Sequence, residues 1–335
     1  MAYEVKRSDL ESLEKKEKEH VCQSVFTTSV WLSFLEKNQK IEPIILELYD
    51  NAELVAIFVG GLVKKMGIRI LASPFEGWLT PDMGFVEIQK FDVNKAVKSV
   101  AKYAFSELRC WLVQIQDKKI SPNDLDKRTI TGSEKLLYIN ISGELENVLE
   151  NFTKNGRRDV RASQRKGVIF EKVDFNRDFV DIYYQQLEDV FAKQNLKPFY
   201  SKTKLYDLVD AFENNSDFVA AFEAKLDNGQ CIASVFSFGY EEYAYYMGAA
   251  SFREYQKFLP NEGLFWEFVK YWNGRGIKKI DLVGDREYKR KYAPKIIENP
   301  IIIYERVPGI FCLKKLAKKI VQIKRGLESR GAYKK

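Results

Sequence analysis

Apolar and polar residues fall into short blocks along this chain, and the spacing within each block predicts its element. Residues 7–20 read as a charged helical lead-in, and residues 29–35 as an amphipathic turn carrying Trp31, Phe34 and Leu35. Residues 44–49 and 53–63 are two strands around Asp50-Asn51-Ala52. The second, ELVAIFVGGLV, is almost wholly apolar, as a strand covered on both faces would be. A strand at 68–73 leads into PFEGWLTPDMGF, residues 74–85, where glycines and prolines mix with aromatics and the acids Glu76 and Asp82. A loop of that length and composition reads as the lip of a site. A helix at 92–108 and strands at 111–115 and 135–141 bring the order to α-β-β-β-α-β-β, ending near residue 142.

The second half opens with a helix at 144–152 and the segment TKNGRRDVRASQRKGVIFEKV. Its basic residues Arg157, Arg161 and Arg165 recur every four, so a short helix would align them on one face as an anion site or as a solvated surface. A strand at 168–173, helices at 175–194 and 201–214, and three strands at 218–225, 230–239 and 243–249 follow. Asp227-Asn228-Gly229 is a hairpin signal between the first two of those strands. A helix from 260 or 261 to 273 then leads into GIKKIDLVGDREYKRKYA, residues 276–293. Here an apolar strand (Ile280, Leu282, Val283) breaks at Gly284 into a turn carrying Asp285, Arg286, Lys289, Arg290 and Lys291. The carboxyl end of a central strand is where open α/β folds hold ligands. The order is α-β-α-α-β-β-β-α-β, and the two halves repeat one layout.

Composition narrows the chemistry. The chain has 335 residues, 45% of them hydrophobic, and no apolar run long enough to cross a bilayer. The N-terminus has no apolar core of a signal peptide, so a cytoplasmic protein is expected. Four cysteines far apart in sequence argue against a zinc site or a disulfide framework. His20 is the only histidine and lies in a charged segment, which sets aside hydrolase triads and histidine metal sites; no metal is expected. Of 54 basic and 47 acidic residues, nine basic and one acidic lie in residues 310–335, leaving 45 and 46 in residues 1–309. The body is near neutral and the tail carries the excess.

A β-meander followed by a helix and a fifth strand, twice over, resembles the GNAT acyltransferases. The chain is similar in particular to the FemAB-like, or BioF2-like, acetyltransferase group that includes the Fem peptidyltransferases. The resemblance rests on NGRRDVRASQRKGVIFEK, FVAAFEAKLDNGQCIASVFSF, YAYYMGAA, LPNEGLFWEFVKYWNGRGIKKIDLVGD and EYKRKYAP, and more weakly on ILASPFEGWLTPDMGF. It implies an α+β (α/β) fold with two tandem GNAT-like domains, residues 1–142 and 143–309, each a mostly antiparallel mixed sheet flanked by helices. A basic amphipathic tail, 310–335, follows. The glycine-rich pyrophosphate loop of ordinary GNAT enzymes is missing, because Gly248 is followed by AASFREYQKFLPNEG. Arg253, Lys257 and Asn261 are the candidates to hold the donor instead. No coiled-coil arm is inserted either, which speaks against an aminoacyl-tRNA donor.

The resemblance implies attack of an amine on an activated acyl group, with acyl-CoA (acetyl-CoA) as the co-substrate. The acceptor would be the amine of an amino sugar or envelope polysaccharide precursor, free or lipid- or nucleotide-linked. Such chemistry needs a base, oxyanion donors and an acid for the leaving group. With histidine nearly absent, Asp281 and Asp285 are the candidate bases, beside Glu76 or Asp82. Tyr246 is the candidate acid; strand alternation lets only one of Tyr245 and Tyr246 face the site. Arg158, Arg161, Arg286, Lys289, Glu76 and Trp78 are candidate substrate contacts. The tail can lie on an anionic membrane, or pack on the protein. Two further readings are an aminoacyl-tRNA-dependent transferase of the Fem type and a non-catalytic glycan- or membrane-binding module; tRNA is the one nucleic acid the pattern leaves open.

Overall fold

The computed structural model describes residues 2–19, 24–65, 67–124, 129–192 and 195–312. The sole histidine and the tail beyond Cys312, with its membrane reading, lie outside the described residues.

In chain order the strands are β1 (Glu4–Ser8), β2 (Glu42–Asp50), β3 (Glu53–Lys65), β4 (Ile68–Ser73), β5 (Gly84–Glu87), β6 (Leu112–Gln116), β7 (Ile130–Asn140), β8 (Ile169–Val173), β9 (Val219–Lys225), β10 (Cys231–Tyr240), β11 (Tyr243–Ser251), β12 (Lys279–Asp281) and β13 (Lys295–Glu305). The helices are α1 (Leu10–Glu17), α2 (Ser29–Gln39), α3 (Val93–Ser106), α4 (Leu145–Glu150), α5 (Lys154–Ser163), α6 (Arg177–Ala192), α7 (Lys202–Phe212) and α8 (Pro260–Gly274). The strands form one mixed sheet in the order β1-β2-β3-β4-β6-β13-β7-β12-β11-β10-β9-β8, with β5 against β3. Each half contains a meander, a helix and a strand returning parallel to the last: β2-β3-β4, α3, β6, and then β9-β10-β11, α8, β12.

What joins the halves is an exchange of strands. β7 pairs with β12 and β13, and β13 returns to pair with β6. The sequence reading assigns no element to residues 295–305, where Asn299-Pro300 interrupts the apolar pattern, yet an eleven-residue central strand lies there. The N-terminal segment also departs from expectation: residues 4–8 extend as β1, and Asp9 accepts the Ser12 amide at 2.8 Å to start α1 only at Leu10.

The front of the sheet carries one core shared by both halves, in which α2, α6 and α7 cover β2, β3 and β9–β11. Its centre is aromatic, with Trp31, Phe212 and Phe238 buried against one another. The back is divided: α3 covers the first half, and α4, α5 and α8 cover the second. Among the described residues no helix is long and apolar enough to cross a membrane.

Candidate active site

β12 ends after three residues for a local reason. Asp281 Oδ1 accepts the Val283 amide at 2.8 Å, and Val283 and Gly284 turn into the left-handed region with φ of 51° and 81°. A β-branched residue there is strained, so the exit turn is held by its surroundings. Lys289 holds it: its buried Nζ donates to the carbonyls of Leu282 (2.5 Å), Val283 (2.6 Å) and Gly284 (3.3 Å). Burial pulls the Lys289 ammonium down to about 8. Lys289, expected as a substrate contact, has its ammonium engaged by these three backbone carbonyls instead.

At the same level β11 runs on while β12 stops. The two pair only from Tyr243↔Lys279 to Tyr245↔Asp281, and beyond that the sheet forks. Asp281 therefore sits at the root of the fork, fully buried on the front face, and burial, with nearby Asp82 adding, pushes its carboxyl up to about 7. Cross-strand from it stands Tyr138. Among the described residues neither Asp281 Oδ2 nor Tyr138 Oη meets the geometry of a full hydrogen bond, and burial first, with the Asp281 charge adding, raises the Tyr138 phenol far above its usual range.

Tyr245, the other neighbour of Asp281 on the front face, donates to Asp82 Oδ2 at 3.2 Å and lies 3.1 Å from Ser24 Oγ. Burial first, then Asp82, raises its phenol well above the usual range. Alternation thus sends Tyr245, rather than the expected Tyr246, toward the acids. Tyr246 packs on the back face against Phe265 and Phe268 of α8, with ring centroids 5.3 and 5.4 Å away.

Asp82 opens onto a cleft of about 410 Å³ between the halves, lined among others by Asp117, Lys118, Glu241, Glu242 and Tyr243. Lys118 reaches across β13 and β7, its Nζ 3.9 Å from Asp82 and 4.7 Å from the Tyr243 ring centre. Burial works against the Lys118 charge, but Asp82, Tyr243, Asp117 and Asp281 outweigh it and raise its pKa. Burial pushes the Asp117 carboxyl up to about 6. The arrangement is a cationic side chain among carboxylates, two of which change charge close to neutrality. It can accept a proton from an amine and steady a developing oxyanion.

A second cavity, about 530 Å³, opens on the back face along β11. Tyr246, Ala249, Ser251, Asn261, Glu262, Tyr288, Lys291 and Tyr292 line it, at the start of α8. The two cavities lie on opposite faces of the β11–β12 fork.

Other expected contacts fall elsewhere. Asp285 pairs with Arg290 on the exposed exit turn, away from the carboxylate cluster, and Arg286 is exposed beside it. Arg158 and Arg161 lie exposed on α5, paired with Asp159 and Glu146. Glu76 is exposed at the loop tip, whereas Trp78 is core, 2% exposed. Arg253 makes three hydrogen bonds to Asp189 and Lys257 is exposed, so only Asn261 of that trio reaches the back cavity. Sequence reasoning missed Asp117, Lys118, Tyr138 and Tyr243. The signal for the first two was present: LVQIQDKK is a strand with a charged carboxyl end, as IDLVGDREYK is.

Residues 151–290 match the family model for the acetyltransferase (GNAT) domain. No curated protein matches the chain. Among solved structures it is similar to FemX, at 13% identity and a TM-score of 0.71, covering 92% of this chain and 99% of that one. It is also similar to L-PGS from Bacillus licheniformis (14% identity, TM-score 0.55, 92% and 96% covered) and to a tandem GNAT protein from the clavulanic acid biosynthesis pathway (9%, 0.51, 91% and 99%). With the repeated meander-helix-strand order and the forked sheet, residues 151–290 carry a GNAT acetyltransferase domain, and the chain as a whole has a fold like that of FemX and of the tandem GNAT protein.

Proposed function

We propose that this protein is an N-acyltransferase that passes an acyl group from acyl-CoA to the primary amine of an amino sugar or envelope polysaccharide precursor, with no covalent enzyme intermediate. The observation that carries the reading is the position of Asp281. It is buried at the root of the fork and lines neither cavity itself: its β11 partner Tyr245 adjoins Tyr246 of the α8-side cavity, and its carboxyl feels the charges of Asp82 and Lys118 at the cleft. An acyl group entering from the back would meet an amine entering from the front beside this carboxylate.

In this reading the cationic acceptor is drawn into the cleft by Asp82, Asp117, Glu241 and Glu242. The bound ammonium first gives up a proton to bulk water; the free amine then attacks the acyl carbonyl, and the N–H proton of the tetrahedral intermediate passes to the carboxylate system of Asp82 and Asp281 as the thiolate leaves. A base with a pKa near 7 suits work at neutral pH. Lys118 balances the oxyanion, and Tyr245, hydrogen-bonded to Asp82, is the group best placed to return a proton to the leaving thiolate. The reading keeps residues 1–142 and 143–309 as the two domains and a cytoplasmic location, with the tail as the one segment that can contact the inner face of the membrane.

One observation favours an aminoacyl-tRNA donor instead. The start of α8 offers little to a diphosphate: Glu262 occupies its first turn, Lys291 is paired with Glu262, and Arg253 is paired with Asp189. Incubating the full chain and a primary-amine acceptor such as glucosamine with labelled acetyl-CoA, and separately with charged tRNA, decides between them. Product from acetyl-CoA supports the first reading, product from charged tRNA alone transfers the site to the second, and product from neither overturns both.

A further inference from the structure

Three side chains stand in a row on the front face, on neighbouring strands: Tyr138 of β7, Asp281 of β12 and Tyr245 of β11, paired by register as Asp281↔Tyr138 and Tyr245↔Asp281. Tyr245 and Asp281 have roles in the reading above; Tyr138 has none. It is 6% exposed, its ring edge-on to Tyr243 (centroids 5.9 Å apart, planes at 66°) and its ring centre 5.6 Å from Lys118 Nζ. Those contacts belong to the ring. The phenolic oxygen is buried and, like Asp281 Oδ2, makes no full hydrogen bond. The two groups nonetheless act on each other: after burial, the Asp281 charge and the approach of its carboxylate raise the Tyr138 phenol.

Asp281 is short of donors. Its Oδ1 takes the Val283 amide. Of the groups facing it from the other elements, Lys289 of the exit turn is spent on three carbonyls, Tyr245 donates to Asp82, and Lys118, beyond β6, stands 3.9 Å from Asp82. Both lysines favour the Asp281 charge, and Asp82 opposes it. Lys295, paired with Tyr138 from β13, is exposed. Among these described residues the Tyr138 hydroxyl is the donor not spent elsewhere. A buried carboxylate oxygen without a donor is costly, and the cost falls on the charged form.

We infer that Tyr138 is the positioning residue of the base: its hydroxyl donates to Asp281 Oδ2 when that carboxylate is charged, and so holds down the pH at which Asp281 becomes able to take the amine's proton. This rests on the reading of Asp281 as the base. As Oδ2 takes the N–H proton, the Tyr138 oxygen turns from donor to acceptor toward it, and Tyr138 gains and loses no proton of its own. Burial and the Asp281 charge keep the phenol un-ionised throughout.

The test reads Asp281 directly, by carbon NMR of labelled aspartate carboxyls in the full chain, its resonance identified as the one lost in Asp281→Asn. In Tyr138→Phe, which keeps the ring and its packing, the Asp281 titration is expected to move up by about half a unit to one unit. With fluorotyrosine at position 138, a stronger donor of nearly the same shape, it is expected to move down. A change acting through packing alone would not reverse sign between the two. Titrations that stay put, or that move the same way in both proteins, overturn the inference. Where Tyr138→Phe does not fold, the fluorotyrosine protein decides alone: a lowered titration supports the inference, and an unmoved or raised one overturns it. The rate profile separates this inference from the reading beneath it. A limb of kcat/KM that follows the titration supports both, whereas a titration that shifts while the limb stays put upholds the Tyr138 bond and removes Asp281 as the base.

Discussion

Tyr245 Oη donates to Asp82 Oδ2 at 3.2 Å across 163 residues of sequence, joining a strand of the second half to the lip loop of the first. Neither half has the site alone: Asp281 and Tyr245 come from the second, and Asp82, Asp117 and Lys118 from the first. If the bond positions Asp82 for the acceptor, Tyr245→Phe and Asp82→Asn should not act additively. In a double-mutant cycle on kcat/KM each single change is expected to cost about 10- to 100-fold, and the double no more than about threefold beyond the worse single. Additive losses would show two separate roles.

Lys118 lowers the carboxyl pKa values of both Asp281 and Asp117 by its charge. Removing it should therefore move the acidic limb of the rate profile upward. In Lys118→Met the apparent pKa is expected to rise by about one unit, and kcat to fall by about 10- to 100-fold through loss of the oxyanion's counter-charge. An unmoved limb would exclude Lys118 from the electrostatics of the base.

Lys289 has a structural assignment, with three carbonyls as its acceptors. Lys289→Met would leave these buried groups unsatisfied and should destabilise the fold by about 2–4 kcal/mol, read from the midpoint of urea unfolding. A variant of wild-type stability with lost acceptor affinity would return Lys289 to substrate binding.

Asp281 and Asp117 both bind a proton more tightly when folded than the ordinary carboxyl value near 4 allows. Raised carboxyl pKa values give stability that is present in acid and lost as pH rises from about 4 through 6 to 7. Asp281→Asn should remove much of that loss, so the difference in unfolding free energy between variant and wild type should favour the variant more at pH 8 than at pH 5. A difference independent of pH would mean that Asp281 ionises as freely folded as unfolded.

The order of elements was legible because the meanders carry their own signals: an almost wholly apolar β3, the Asp-Asn-Gly turn before β10, and the glycines closing α8. The exchange of β7 and β13 was not, since strand pairing between residues 130–140 and 295–305 leaves no mark in local periodicity, and Pro300 disguised the second strand. Asp281 was legible as a carboxylate at the end of a central strand. Its partners were not. Whether Tyr245 or Tyr246 faces the acids depends on the register of β11, and one residue of slip would exchange them. Arg157 at fourfold spacing suggested one basic face, but its side chain turned back to cap α4, and the exposed row begins instead at Lys154 and Arg158.

The most direct measurement is the pH dependence of kcat/KM for acyl transfer in wild type and Asp281→Asn, with an acceptor amine of known pKa so that its own ionisation can be divided out. The expected result is a wild-type rate that falls below about pH 7 with one enzyme ionisation, and a variant slower by about 10²- to 10⁴-fold in which that ionisation is gone. A variant that keeps both the rate and the limb would contradict Asp281 as the base at the fork.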